Sequence, residues 1–355
     1  MSRITTTACL AFWLVGSAAA AQDAQAQDTG RRFAVDTVIG YQDYMTEYTD
    51  WSAQYVFDAF ATAQIHKHWQ ATFRPKAWRT RAEWHLLFDQ ASIQTEFHKG
   101  SNWRIEAGRF PVPIGLGMTE NRADLNAGMI WWHRAYYMPI PFLGADVPRL
   151  SLNSAVYPSG VQVSTSAGHW DARGAVVDLS PIEFWREPSG VSRSPNVILG
   201  GGVSPRQGAR IGVGGAWGEY AAPTSARGGL DYSMANIEGE YAFKYSKFSG
   251  EWTRDRIATS TGDRISRGWT VQWQQTLAPR LFVHSRASVM DSPEVSRTTP
   301  ITVTARTFKS IDTTLGYRVT PSVTVRLGHS AVKSWTAADL DQQIGLSLMW
   351  TNRWW

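Results

Sequence analysis

The stretch from Gln342 to Trp354 most constrains what this chain can fold into. Ile344, Leu346, Leu348, Trp350 and Trp354 share one parity, whereas Gln343, Ser347, Thr351 and Arg353 share the other. Side chains of a strand point alternately to opposite faces, so this period of two describes a strand with one apolar and one polar side. Its apolar side closes on aromatics, Trp354 followed by Trp355. A strand with lipid on one face and water on the other has this pattern.

The other end of the chain agrees. Arg3 precedes a short apolar run from Ala8 to Val15, and the small residues of 16–21 offer a cleavage site before Gln22. This is the pattern of a secretory signal peptide over residues 1–21, with Ala26 as a later cleavage point; the run is much shorter than the roughly 20 residues of a membrane-spanning helix. Residues 22–32 then read as a short periplasmic segment, and 33–355 as a single barrel domain. Cys9 is the one cysteine and leaves with the signal, so no disulfide holds the mature fold.

Composition narrows the class further. After residue 21 nothing approaches about 18 consecutive apolar residues, which excludes a helical span. Yet the chain carries 18 Trp, 12 Tyr and 14 Phe. Aromatics at this density without hydropathic peaks suit girdles at two membrane interfaces. The formal charge of +5 is scattered along the chain and implies no nucleic-acid partner.

Between turn signals the chain breaks into alternating segments at 33–43, 51–62, 67–78, 84–97, 102–110, 156–165, 169–178, 197–204, 209–219, 232–243, 245–256, 266–277, 280–290, 306–319, 322–334 and 342–354. Short turns are expected at Ser204–Arg206, Phe243–Ser246, Ala278–Arg280 and Thr320–Ser322, three of them with Pro, which fixes φ. Longer connections at 179–196, 220–231, 257–265, 291–305 and 335–341 alternate with them. Short turns on one side and long loops on the other describe an all-β, transmembrane antiparallel β-barrel of about sixteen strands, with both termini on the periplasmic side.

Residues 111–155 interrupt this rhythm as the third external loop. A loop this long is functional or disordered, and its aromatic content argues against disorder. It needs a surface to pack on, and the barrel lumen is the surface available. The passage Trp103-Arg-Ile-Glu-Ala-Gly-Arg-Phe-Pro-Val-Pro-Ile-Gly-Leu116 resembles the strand, Gly, aromatic, Pro, Gly-Leu passage of phosphate-selective-type bacterial porins. The resemblance implies a sixteen-stranded trimer whose third loop folds into the lumen and narrows the pore. No dense ladder of lysines or arginines accompanies it, so the resemblance implies passage through a pore more than phosphate specificity.

On the alternation, Arg74, Lys76, Arg104, Glu106, Lys247, Glu251, Arg286 and Arg326 lie on the polar, lumen-facing side, with Asn236, Glu238 and Glu240 opposite some of them. The loop adds Glu120, Arg122, Asp124, Arg134 and Asp146. One-sided charge clusters set ion preference in a water-filled pore; the arginines on strands three and five are expected to face Glu120, Asp124 or Asp146. The competing reading is that these charges are solvated, or are salt bridges that seat the loop. Trp51, Trp69, Trp84, Trp103, Trp252, Trp269, Trp335 and Trp354 are expected as interface anchors. Trp131, Trp132, Tyr136 and Tyr137 in the loop either stack on sugars and aromatic solutes or pack the loop in place.

No catalytic motif stands out. There is no G-x-S-x-G, the spacing of Asp124, His133 and Ser151 does not recommend a triad, and Gly200–Gly202 and Gly212–Gly215 lack the strand-to-helix context of a phosphate loop. His66 and His68 share a strand parity and read as a polar pair at a turn ahead of a metal site. No cofactor or metal is expected. The partners expected are outer-membrane lipid, two further copies of the chain and small hydrophilic solutes or ions, with a slight lean to anions, phosphate-like ones included. Two readings of other classes stand beside this one: a barrel without an open channel, serving adhesion, export or structure, and an aromatic-rich periplasmic binding protein.

Overall fold

A computed structural model of the protein describes residues 33–46, 52–79, 83–96, 102–116, 122, 125–129, 140, 150–153, 156–183, 194–221, 230–259, 262–295, 303–335 and 339–354. The proposed signal peptide, Glu120, Asp124, Arg134, Asp146 and the aromatics Trp131, Trp132, Tyr136 and Tyr137 lie outside them.

The described residues build sixteen antiparallel strands: β1 Phe33–Thr46, β2 Gln54–His66, β3 Trp69–Arg79, β4 Trp84–Glu96, β5 Arg104–Arg109, β6 Ser159–Ala167, β7 Trp170–Val177, β8 Asn196–Arg206, β9 Ala209–Ala221, β10 Leu230–Phe243, β11 Ser246–Thr259, β12 Gly262–Ala278, β13 Leu281–Val295, β14 Val303–Arg318, β15 Val323–Lys333 and β16 Asp341–Trp354. Each pairs with its sequence neighbours, and β16 returns to β1 with Val35 opposite Trp354 and Thr46 opposite Gln343. The barrel is therefore closed and has no free edge, the condition for a sheet to sit in lipid.

The alternation sorts the side chains as the sequence requires. On β10, Tyr232, Met234, Asn236 and Glu238 are buried inside while Ile237 is exposed outside. On β16, Ser347 and Met349 are buried, and Ile344, Leu346, Leu348 and Trp354 face out. Outside, Leu86, Ile93, Val161, Leu199, Val213, Ile237, Val271, Ile311 and Leu327 form part of an apolar band. Aromatics accompany it: Trp354 donates its indole N–H to Thr37 Oγ1 at 2.9 Å and meets Trp350 edge-on, and Phe248 stacks on Trp273.

Several local expectations are corrected. The β8–β9 turn lies at Gln207–Gly208, not at Ser204–Arg206, because the register shifts between Val203 and Arg206 and takes Pro205 into a bulge; Gly208 supplies the positive φ of +80° that the turn needs. Residues 257–265 are largely strand: the ladder continues to Thr259 opposite Gly262. His66 ends β2, but His68 sits in the two-residue turn, so the two do not share a strand face. Trp335 is no interface anchor; it packs against Phe308 at the rim of the buried apolar cluster, ring centroids 5.9 Å apart.

Pro75 in mid-β3 cannot donate to the ladder, and it coincides with a bulge: Arg74 pairs with Gln90 and Pro75 with Phe88, leaving Asp89 as the extra residue. The bulge turns Asp89 inward beside Arg74 and Lys76, where it is 5 % exposed.

Candidate functional site

The interior is lined by separate polar clusters, each assembled from neighbouring strands. Arg74 Nε donates to Asp58 Oδ1 at 2.8 Å, its Nη2 bonds Asp58 Oδ2, and its Nη1 bonds the Tyr157 hydroxyl. Asp89 lies 3.9 Å from Arg74 and 4.0 Å from Lys76. The expectation that arginines on β3 and β5 face Glu120, Asp124 or Asp146 falls on acids outside the described residues; within the described ones these arginines have the following partners. Arg74 is held by Asp58 and Asp89. Arg104, at the start of β5, lies 3.8 Å from Glu96 at the end of β4. Glu106 accepts bonds from Gln90, Ser92 and Gln162.

On the opposite wall Arg286 of β13 faces Asp312 of β14 directly and donates from Nε and Nη2 to Oδ2 at 3.1 and 3.0 Å. Ser330 of β15 completes the row by donating to Asp312 Oδ1. Arg74 and Arg286 are each only 2 % exposed. A guanidinium so enclosed, with two of its nitrogens on one carboxylate, works as a strut of the wall.

The cluster that sequence reasoning missed lies on β7–β10. Arg210 donates to Asp171 from Nε at 3.0 Å and Nη2 at 2.9 Å and also bonds Glu238; Arg173 donates to Glu238 at 3.2 Å. The glycine runs make this possible. Gly200 stands opposite Gly214 and Gly202 opposite Gly212, in the same inward parity as Ile198 and Ala216. A Cβ on Gly202 would lie 2.8 Å from Arg210 Nη2, one on Gly212 2.8 Å from Glu238 Oε1, and one on Gly200 3.1 Å from Arg173 Nε. The glycines are the floor on which two arginines lie flat. Their side chains keep 19 % and 20 % exposure, against 2 % or less for the Arg74 and Arg286 side chains. The sequence signal was present, as glycines at alternate positions on adjacent strands, but it needed the register to be read.

The long connection between β5 and β6 starts on this wall. Val112 N donates to Val156 O and Phe110 N to Pro158 O, both at 3.1 Å. Pro111 and Pro113 fall at the alternate positions, where no donor is used. Phe110, Val112 and Ile114 are buried with Leu150, Leu152 and Val156 against Ala175, Val177, Ile198, Ala216, Met234, Ile257 and Met290 of the wall. The inner face is thus apolar toward the end of β7–β13 that meets this connection, where the sequence reading expected polar side chains. Gly115, at φ +77°, then lets Leu116 N donate to Glu251 Oε2 at 2.9 Å; a Cβ there would come within 2.4 Å of Glu251 Oε1. Farther along, Arg122 lies over the Phe60 ring of β2 at 4.9 Å, and Gly128 O accepts a 2.9 Å bond from Arg326 of β15. The same connection therefore touches inward-facing residues of β2, β11 and β15.

Beside the apolar cluster, the segment after β7 places Glu183 opposite Leu150 in an isolated bridge. Burial pushes the Glu183 carboxyl up to about 8, against the opposing hydrogen bond from Ser180 N at 3.3 Å and with a further push from Asp178.

No protein-family model matches the sequence, and no curated protein does. Solved structures do match. An anion-selective porin from Comamonas acidovorans superposes with a TM-score of 0.64 at 10% identity, covering 90% of this chain and 99% of that one. OprB of Pseudomonas putida, at high pH, gives 0.60 at 11% identity, covering 94% and 97%. In-vitro folded OmpT, an outer membrane protein of Vibrio cholerae in a trimer form, gives 0.58 at 7% identity, covering 90% and 99%. At such identities the likeness is one of fold: a porin-like sixteen-stranded antiparallel barrel.

Proposed function

We propose that this chain is an outer-membrane porin, exported by its N-terminal signal, that passes small hydrophilic solutes or ions by diffusion. The closed barrel with an apolar outer band and a charged interior carries this reading, because a wide barrel with charge on its inner face suits a water-filled lumen. The likeness to porins over nine-tenths of the chain supports it. The anchoring of the β5–β6 connection to β2, β11 and β15 supports a narrowing of the lumen there. Solutes then meet the wall at Arg173, Arg210 and Lys76, with Arg104 and Glu106 toward the periplasm and Glu120, Arg122, Asp124, Arg134 and Asp146 on the loop. Arg74, Arg286 and Arg326 serve mainly to hold the wall and the loop. Asp171 and Glu238 balance Arg173 and Arg210, which keeps any anion lean slight and gives no built phosphate site. A trimer is the assembly this reading favours.

The direct test is swelling of liposomes carrying the refolded protein in sugars of rising size. Swelling that falls off sharply with solute size is the expected result; liposomes that stay closed to the smallest sugars contradict the proposal. A second reading, a barrel without an open channel, draws on the complete burial of inward polar residues such as Asp255, Thr253, Ser266 and Thr314. Insertion without any solute flux would favour it.

A further inference from the structure

The outward face of β11–β15 toward the external rim carries a charge arrangement that the channel does not use. Arg254 on β11 stands directly opposite Arg267 on β12, and Lys309 on β14 directly opposite Lys333 on β15. These side chains point outward: Arg254 is exposed between fully buried Thr253 and Asp255, and Lys309 is exposed between Phe308 and Ser310, 5 % and 9 % exposed. Lys333 has the parity opposite to Ser330, which bonds Asp312 inside. Like charges directly opposite on one sheet face destabilise it, and two such pairs occur within five adjacent strands.

Among the described residues only Arg267 of the four meets an acid. Asp263 is taken by Arg256, at 2.7 Å. Asp291 lies 3.6 Å from Arg267 and accepts from Thr307 at 2.8 Å. Arg254, Lys309 and Lys333 have no partner among the described residues. The position is also specific. Trp252 and Trp269, paired and outward, occupy the same register row as Lys309 and Lys333 and lie two residues on the periplasmic side of Arg254 and Arg267. Two residues of strand are about 6.8 Å, and adjacent strands are about 4.8 Å apart. The cations therefore lie beside an aromatic pair on the outer halves of their strands, and paired outward Trp residues mark the region where lipid headgroups begin.

The geometry points to a binding surface for the phosphorylated headgroups of outer-leaflet lipids, held by Arg254, Arg267, Lys309 and Lys333 above the Trp252–Trp269 pair. A multivalent phosphate bridging each pair converts repulsion into charge-assisted hydrogen bonds. Lipid is the occupant because the Trp pair beneath puts this face in contact with acyl chains. The inference rests on the outer-membrane reading, which sets this rim as the external one.

The test uses the refolded full-length barrel in uncharged detergent micelles, with lipid retention counted by native mass spectrometry. Diphosphorylated lipid A, its dephosphorylated form and inorganic phosphate are the three probes. The wild type is expected to prefer the phosphorylated lipid, and Arg254→Gln/Arg267→Gln and Lys309→Gln/Lys333→Gln each to weaken it about 25-fold, about fivefold per cation removed. Equal retention of both lipids, or unchanged affinity in both double variants, overturns the inference. Inorganic phosphate that competes at equal concentration overturns the lipid assignment. The same preparation is tested for membrane insertion: a barrel that inserts but does not discriminate loses only this inference, and one that fails to insert loses the outer-membrane reading as well. Arg254, Arg267 and Lys309 are exposed and Lys333 is half-buried on the outward face, so the pairwise variants are expected to refold as the wild type does.

Discussion

Replacing Arg286 by Met tests whether this arginine is a wall strut or a free pore charge. Its guanidinium is 3.0 Å from Asp312 Oδ2, with side-chain exposures of 1 % and 6 %. At that separation, with an effective dielectric constant of about 20, the attraction is about 5.5 kcal/mol. Most of it offsets the desolvation of the two ions, so the pair as a whole contributes little over an apolar substitute. Removing one member is different: Asp312 stays enclosed with only Ser330 to bond it, and the loss is about 3–5 kcal/mol. Arg286→Met and Asp312→Leu are each expected to destabilise by this amount. The double variant is expected to fall within about 1 kcal/mol of wild type, because matched apolar side chains replace a buried pair at little cost. Equilibrium urea unfolding of the refolded protein in micelles, followed by tryptophan fluorescence, gives the cycle. Additive losses, or a single variant within about 1 kcal/mol of wild type, would refute the strut assignment.

Other perturbations follow from the same geometry. Gly115→Ala brings a methyl against Glu251 at an unfavourable φ, costs about 2 kcal/mol in strain and a lost Leu116 bond, and is expected to raise conductance and expose residues 116–150 to protease; unchanged conductance and protection would contradict the anchoring. The Glu183 carboxyl is raised from 4.5 to about 8, so the folded state holds a proton that the unfolded chain releases between those values. Stability of this end is therefore greatest below pH 4.5, falls as pH rises to about 8, and is flat beyond. Glu183→Gln is expected to flatten that slope in amide hydrogen exchange of residues 150–152, and an identical slope in both proteins would count against it. Lys76→Gln/Arg104→Gln is expected to shift the reversal potential in a salt gradient toward cations; no shift would mean that neither charge meets the ion path.

All sixteen strands were legible in the sequence because a barrel strand in lipid must alternate, as Ile344, Leu346, Leu348, Trp350 and Trp354 do against Gln343, Ser347, Thr351 and Arg353. The strand ends were less legible. Ile257 and Ile265 read as loop because charged residues surround them, yet the ladder continues: Ile265 stands opposite Arg256, and Ile257 joins the buried cluster. Charge near a rim does not end a strand when it faces outward. The bulge at Pro75 had a signature in the parity switch from Trp84, Leu86 and Phe88 to Ala91 and Ile93; missing it hid Asp89.

The site was legible by residue type more than by partnership. Arg74, Glu106, Arg286 and Arg326 are inward as the alternation required. Which acid each meets depends on register, and register is a property of strand pairs. That is why Asp58 and Asp312 were not foreseen as partners, and why the glycine floor under Arg173 and Arg210 went unrecognised. The passage from Phe110 to Leu116 shows the opposite case: prolines at alternate positions and one glycine at positive φ are local requirements, and they appear in the sequence as such.

The central claim, a water-filled passage through this barrel, is tested most directly by single-channel recording of the refolded protein in a planar bilayer. Discrete conductance steps, ohmic at low voltage and arriving in groups of three, are the predicted result. A protein that inserts with full β-structure and passes no current would contradict the account and leave a closed barrel in its place.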